Sequence, residues 1–387
     1  MPKVTINDIA REAGVSKTAV SFAFNDPNQL ASTTVQHIRK VAELLGYSPD
    51  PIARSMTTKR TNTIGLLLPH DIAAALANPF YTQFTRGVGR VCSNEGLTLL
   101  LVPPLWGSRL KAIPSAAVDG FVVVGLDMER GEVQSLQRRG VPFVIVDSQA
   151  PEDVTSVNID NRSGARAIME HVLSRGHQRI SIIALEGTAV NSGMGSATVV
   201  DRMAGYREAL ALHGIPADSA DIQIIDAPSS WEGGRRAFDR VWESHRPTAV
   251  VAMSDIIAIG VIEAARSCRV RVPEQLSVVG FDDLPDTRYV RPALTTVRQP
   301  VEEKGRLAAE MLVAALRGDK ATASRTLPTE LVVRRSVAYA KELVNGFNGN
   351  GYAHSNGNGH TSNGYHYSNG DTYHYGNGDG LHLSNGD

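Results

Sequence analysis

The chain has 387 residues, 42% of them hydrophobic and 20% charged, and a net charge of −1 at neutral pH. That length suits two or three domains of an ordinary globular protein, and the near-zero charge by itself points to neither a nucleic-acid nor a membrane partner. Two cysteines, Cys92 and Cys268, make no disulfide framework and read as small buried hydrophobes in a reducing setting. The first residues lack the apolar core of a signal peptide and no run reaches transmembrane length, so the expected location is the cytoplasm. The average charge hides an asymmetry: residues 1–60 carry eight Lys/Arg against five Asp/Glu, whereas no Lys or Arg follows Lys341.

Taken in chain order, residues 4–47 read as helices separated by short turns. Thr5 is placed to cap a first helix carrying Ile6, Ile9 and Ala10 on one face. Gly14 ends that helix, and Ser16 caps a second that runs to about Ala23. Val20, Ala23 and Phe24 face inward, leaving Lys17, Thr18, Ser21 and Phe22 outward. A helix, a glycine turn and a second helix with polar side chains at its start is the shape that enters a DNA major groove, although a plain three-helix bundle has the same spacing.

A third helix is expected at 33–45 and a short helix over Pro51–Thr57, with proline in its first turn. From 62 to 336 short apolar β-branched runs alternate with amphipathic stretches. The runs include 63–69, 97–103, 120–125, 142–147, 179–184, 249–255 and 276–283; helices are expected at 80–95, 161–175, 201–213, 231–244 and 255–267. This alternation predicts a doubly wound α/β architecture of parallel strands. The 103–119 connection, PPLWGSRLKAIPSAAVD, is short and proline-bearing, so its crossover helix must be short or distorted; Trp106 is a candidate to compensate. Residues 343–387, rich in Asn, Gly, Ser, His and Tyr with four SNG triplets, read as a disordered tail. Its histidines (His354, His360, His366, His374, His382) match no tetrahedral spacing, and no metal or cofactor is called for.

The wording of the first segment is specific. Val4, Thr5, Asp8, Ile9 and Ala10, then Ala13, Gly14, Val15 and Ser16, then Val20, Ser21 and Asn25 reproduce V-T-x-x-D-[IV]-A, A-G-V-S and V-S-x-x-x-N. The segment resembles the headpiece of the lactose-repressor (LacI/GalR) family. The likeness continues through GYSPDPIARSM (46–56) and TNTIGLLLP (61–69) to about residue 336. It implies a helix-turn-helix headpiece (1–48), a hinge (49–61) and a two-lobed, periplasmic-binding-protein-like effector-binding and dimerisation domain (62–342), followed by the tail (343–387).

It implies roles as well. Lys17, Thr18 and Phe22 take the positions that select operator bases, while Thr5, Ser16, Ser21 and Asn25 fix register on the phosphates. Phe22 departs from the polar or basic reader of many members; it cannot grip guanine but can pack on a thymine methyl. Met56 stands where the family puts an apolar minor-groove wedge, with Ala53 allowing close approach and Arg54 reaching phosphate. The hinge helix is too short to be stable alone and is expected to fold only where two copies meet on DNA.

In the sensor, ligand residues should follow strands. The candidates are Phe80, Tyr81, Asp160, Arg202 (in the family-like DRMAGY), Trp231, Ser254, Asp255 and Asp282. Aromatic rings with strand-end carboxylates point to a carbohydrate effector, with a nucleoside-like ring as the second choice. The tail lacks leucine heptads, so a homodimer is expected rather than a tetramer. Two other classes compete. A transport solute-binding protein shares the sensor fold but would have a signal peptide and no headpiece. An enzyme on a Rossmann-like sheet has only GMGSAT (193–198) as a partial phosphate loop, and no H-E-x-x-H, G-x-S-x-G or Walker motif.

Overall fold

The structure, a computed structural model, describes residues 4–125, 131–186, 196–319 and 323–340. The tail with its five histidines and the first half of GMGSAT lie outside the described residues.

The headpiece packs α1 (Ile6–Glu12), α2 (Lys17–Asn25) and α3 (Ser32–Leu44) around Ile9, Ala10, Val20, Ala23, Val35 and Ile38. The Asp8 carboxylate accepts from Thr5 N at 3.0 Å and Thr5 Oγ1 at 2.7 Å, closing the first turn of α1. Ser16 Oγ accepts from Ala19 N at 3.1 Å, a cap of a kind that contributes about 1 kcal/mol. Between the helices Gly14 sits at φ 64°, where a side chain would be strained.

The hinge segment is helical in the single chain: α4 spans Pro51–Thr58. Local bonds accompany it: Asp50 Oδ1 accepts from Ile52 N at 2.9 Å, and Ser55, Thr57 and Thr58 hydroxyls donate to carbonyls one turn back. Past α4, Asp119 anchors the chain by accepting from Thr61 N, Thr61 Oγ1 and Asn62 N at 2.7–2.8 Å.

Two parallel sheets follow. Lobe 1 holds β1 (Thr63–Leu67), β2 (Thr98–Val102), β3 (Gly120–Val124), β4 (Phe143–Val146), β5 (Ser156–Ile159) and the late β11 (Arg325–Leu327), in the order β11-β5-β4-β3-β1-β2. Lobe 2 holds β6 (Ile180–Leu185), β7 (Ile222–Ala227), β8 (Ala249–Ala252) and β9 (Ser277–Val279), in the order β7-β6-β8-β9. The antiparallel pair β10 (Thr296–Arg298) and β12 (Glu330–Val332) lies among the connections between the lobes.

Each sheet buries apolar side chains on both faces. In lobe 1, α6 (Pro79–Glu95) and α13 (Val301–Arg317) cover one core, and α7 (Arg109–Ser115) and α8 (Glu132–Arg139) the other. In lobe 2, α9 (Asn161–Leu173) and α10 (Ala197–Leu212) face α11 (Trp231–Ser244) and α12 (Asp255–Ser267) across the sheet. A short α5 (Ile72–Ala77) precedes α6. The edge strand β2 alternates exposed and half-buried residues, because only inner strands are covered on both faces.

The short 103–119 connection folds as a tight turn followed by α7, which contains Pro114. Leu105 and Ser108 bond each other's backbone, with Trp106 at φ 50° and Gly107 at φ 71° at the tip. Trp106 is 84% exposed, so it does not fill the lobe as expected. Arg109 does that instead: buried, it pairs with Glu132 at 3.0 Å and donates to Gly125 O at 2.8 Å. Cys268, also expected inside, is exposed at the end of α12, whereas Cys92 is buried.

Candidate functional site

On the headpiece, one face of α2 buries Val20 and Ala23 completely, so the opposite face must look outward. Lys17 and Thr18 are exposed at the N-terminal end, and Phe22 is 38% exposed one turn on. Ser21 differs from expectation: it is half-buried, and its hydroxyl accepts from Asn25 Nδ2 at 3.3 Å. Ser16 and Thr5 are exposed, the hydroxyl of each serving a helix start. On α4, Ala53, Arg54 and Met56 are exposed, Met56 by 79%.

In the sensor, the carboxyl ends of the two sheets face each other, and bonds cross between them. Asn78 Nδ2 donates to Ser229 O and Oγ at 3.3 Å, and Thr198 Oγ1 to Asp147 O at 3.4 Å. Ser229 in turn meets the Ser254 hydroxyl at 3.4 Å. A polar pocket of about 270 Å³ opens beside the β5–α9 connection, lined by Asp147, Asn158, Asp160, Asn161 and Thr198 among others.

A buried charge network stands beside this pocket. Arg202 Nε donates to Asn161 Oδ1 at 2.9 Å, Nη1 donates to Met253 O, Nη2 stands 3.9 Å from Asp282 Oδ1, and the guanidinium lies 3.5 Å over the Phe281 ring. Gln299 Nε2 donates to Asp282 Oδ1 at 2.5 Å. Lys304, fully buried, donates to both Asp147 oxygens and to Gln299 Oε1, and lies 5.0 Å from the Phe80 ring centre. Tyr81 stands edge-on to Phe80 at 5.2 Å.

Burial shapes the ionisation here. Desolvation pushes the Asp282 carboxyl up to about 6, against the pull of Arg202. Burial, then the Asp147 charge, raises the Tyr81 phenol. Burial lowers the Lys304 ammonium, opposed by Asp147. Asp147 at φ 56° and Asp282 at φ 127° hold backbone conformations unusual for side-chain-bearing residues, and such strain gathers at functional sites.

The geometry thus gathers Phe80, Tyr81, Arg202, Ser254 and Asp282 around one cleft. Asp255 differs: its oxygens accept from Leu284 N at 2.8 Å and Thr296 Oγ1 at 2.5 Å inside lobe 2, and burial holds its carboxyl well above the usual range. Asp160 lines the pocket, but its Oδ1 also caps α9 by accepting from Ser163 N. Trp231 opens α11 with Arg235 stacked 5.0 Å over its ring, and Ser229, two residues earlier, bonds Asn78 of the other lobe. The sequence reading missed Asp147, Gln299 and Lys304. Asp147 ends the run 142–147 and was open to the same strand-end rule; Lys304 reads as a surface lysine of an amphipathic helix.

The comparisons agree with this geometry. Residues 5–50 match the model of bacterial regulatory proteins, lacI family, and 169–337 match a periplasmic binding protein-like domain. The chain is 32% identical over 343 residues to the HTH-type transcriptional repressor PurR of Photobacterium profundum, covering 86% of this chain and 98% of that protein. It is also 32% identical over 344 residues to the HTH-type transcriptional regulator CelR of Thermobifida fusca, with the same coverage. A solved CelR–cellobiose complex superposes with a TM-score of 0.63 at 29% identity, covering 86% of this chain and all of that one. A DNA-reading headpiece joined to a two-lobed sensor, with likeness along nearly the whole length of known regulators, leads to one assignment: the chain belongs to the lacI family of bacterial regulatory proteins and is a transcriptional regulator.

Proposed function

We propose that the protein is a repressor that binds a pseudo-palindromic operator as a homodimer and is released or recruited by an uncharged sugar. The observation that carries the DNA half is the exposed N-terminal face of α2, opposite a fully buried Val20 and Ala23. Lys17, Thr18 and Phe22 read base edges; Thr5, Ser16, Ser21 and Asn25 set register. Paired α4 helices enter the minor groove, with Met56 as wedge, Ala53 against the partner helix and Arg54 on phosphate.

The sugar sits between the lobes. Arg202 and Asp282 take hydroxyls, Phe80 and Tyr81 face the ring, and Ser254, Asp160 and Trp231 border it. The cellobiose held by the CelR relative supports a sugar. The protein acts in the cytoplasm, as a binder rather than an enzyme, and among the described residues no helix is long and apolar enough to cross a membrane.

Met56→Ala tests the hinge role. Losing a side chain that is already 79% exposed costs the fold little, so the effect should fall on DNA. Operator affinity should drop about tenfold or more, the scale of a few kcal/mol of base unstacking, with effector affinity unchanged. Equal operator affinity of both proteins by fluorescence anisotropy would remove the wedge from the account.

A further inference from the structure

The Lys304–Asp147 pair is unexplained by a simple sugar cleft. Lys304 has no exposed surface, and its three N–H bonds are fully used: 2.8 and 2.6 Å to the two Asp147 oxygens and 2.7 Å to Gln299 Oε1. Asp147 keeps 13% of its side chain exposed and lines the pocket, so Lys304 acts from behind it. Gln299 passes the contact on to Asp282, which faces Arg202 in lobe 2. A lysine buried among apolar residues is costly unless its partner needs it there. A carboxylate has about four acceptor positions, and the ammonium takes two of those on Asp147. The remaining positions can still accept hydroxyl protons from the pocket, while the charge is cancelled.

We infer that Lys304 is a specificity-determining residue that works by positioning and neutralising Asp147, so that the cleft selects uncharged polyhydroxylated effectors against amines and acids. An amine would need Asp147 unpaired, and Lys304 holds it. An acid would need a free ammonium, and Asp147 occupies it. The class of ligand rests on the sugar reading above; the charge selection rests on the pair.

The test uses the full chain and three pyranose probes, glucose, glucosamine and glucuronate, followed by calorimetry and thermal shift. The parent should favour glucose. Lys304→Gln leaves Asp147 without its cation and should shift the glucosamine-to-glucose affinity ratio upward by about tenfold or more, the worth of a hydrogen bond to a charged group. Asp147→Asn frees Lys304 and should shift the glucuronate-to-glucose ratio upward similarly, whereas Lys304→Arg should keep the parent's order. Should a single variant fail to fold, the double variant Lys304→Gln/Asp147→Asn leaves neither charge unpaired; it should fold and keep the parent's preference for glucose, and a double variant that gains affinity for either charged probe overturns the proposal. Unmoved ratios in folded Lys304→Gln or Asp147→Asn also overturn it, even if the parent binds glucose and the sugar reading stands. A parent blind to glucose, with the two opposite gains present, leaves charge selection standing and removes the sugar reading.

Discussion

Arg202→Ala will destabilise the sensor by about 3–5 kcal/mol, the cost of removing one partner from a buried charge pair, and will abolish the effector response. Arg202 is only 3% exposed, and its guanidinium serves Asn161, Met253 O, Asp282 and the Phe281 ring together. Lysine cannot replace it, because a point charge cannot span a planar fork of donors while stacking on an aromatic face.

The loss will depend on pH. Burial raises the Asp282 carboxyl to about 6, so in mildly acid solution the folded protein holds a proton that the unfolded chain has released. That proton favours the fold, and its contribution is lost as pH rises through the folded value. Asp255, also raised by burial, pushes in the same direction. Asp283, lowered by the bonds from Arg334 and Arg298, acts oppositely but only below the ordinary carboxylate range. Without Arg202 the Asp282 value climbs further, so the variant's deficit should be smaller at about pH 5.5 than at about pH 7.5. Urea midpoints at the two pH values measure this; a deficit independent of pH would mean that Asp282 carries no uncompensated charge.

Alanine at Gly87 or Gly305 will be nearly as damaging, at about 3 kcal/mol or more, toward the upper end for overpacking. At these positions α6 and α13 touch backbone to backbone. A Cβ on Gly87 would lie 2.0 Å from Glu302 O, and one on Gly305 2.3 Å from Phe84 O. Backbone atoms cannot rotate aside, so the helices must separate. α13 carries Lys304 near the cleft, and at its other end Leu316 O accepts from Arg60 Nη2 at 3.4 Å, just past α4. Separation therefore disturbs the cleft and the exit from the hinge together. Denaturation midpoints should fall in both variants; a change below about 1 kcal/mol would show the crossing to be looser than the geometry has it.

What the sequence made legible follows how local each signal is. Thr5, Gly14 and Ser16 act within a few residues of themselves, and the headpiece formed around them as expected. The inner strands β1, β3, β4, β6 and β8 announce themselves by apolar runs that only double-sided burial explains. β7, β10, β11 and β12 do not, being edges or three-residue segments set by their neighbours. The residues whose surroundings the sequence hides depend on distant partners. Asp255 looks like a ligand carboxylate until Leu284 and Thr296 are seen to occupy it, and Lys304 looks solvated until Asp147, 157 residues away, closes on it. Trp106, a candidate to compensate for the short connection, is held outside by a tight turn while Arg109 fills the lobe.

In the proposed regulation, a small molecule bound between the lobes alters how α2 and α4 hold DNA. Thermodynamically the ligand must favour one of the two DNA-binding states, or it shifts nothing. The most direct measurement is fluorescence-anisotropy titration of the full-length protein against DNA from upstream of its own gene, at two salt concentrations, with and without a panel of neutral sugars. Tight, salt-sensitive binding that one sugar changes severalfold, a change lost in Arg202→Ala, is the expected result. Weak binding that is blind to sequence, or specific binding that no sugar moves, would contradict it.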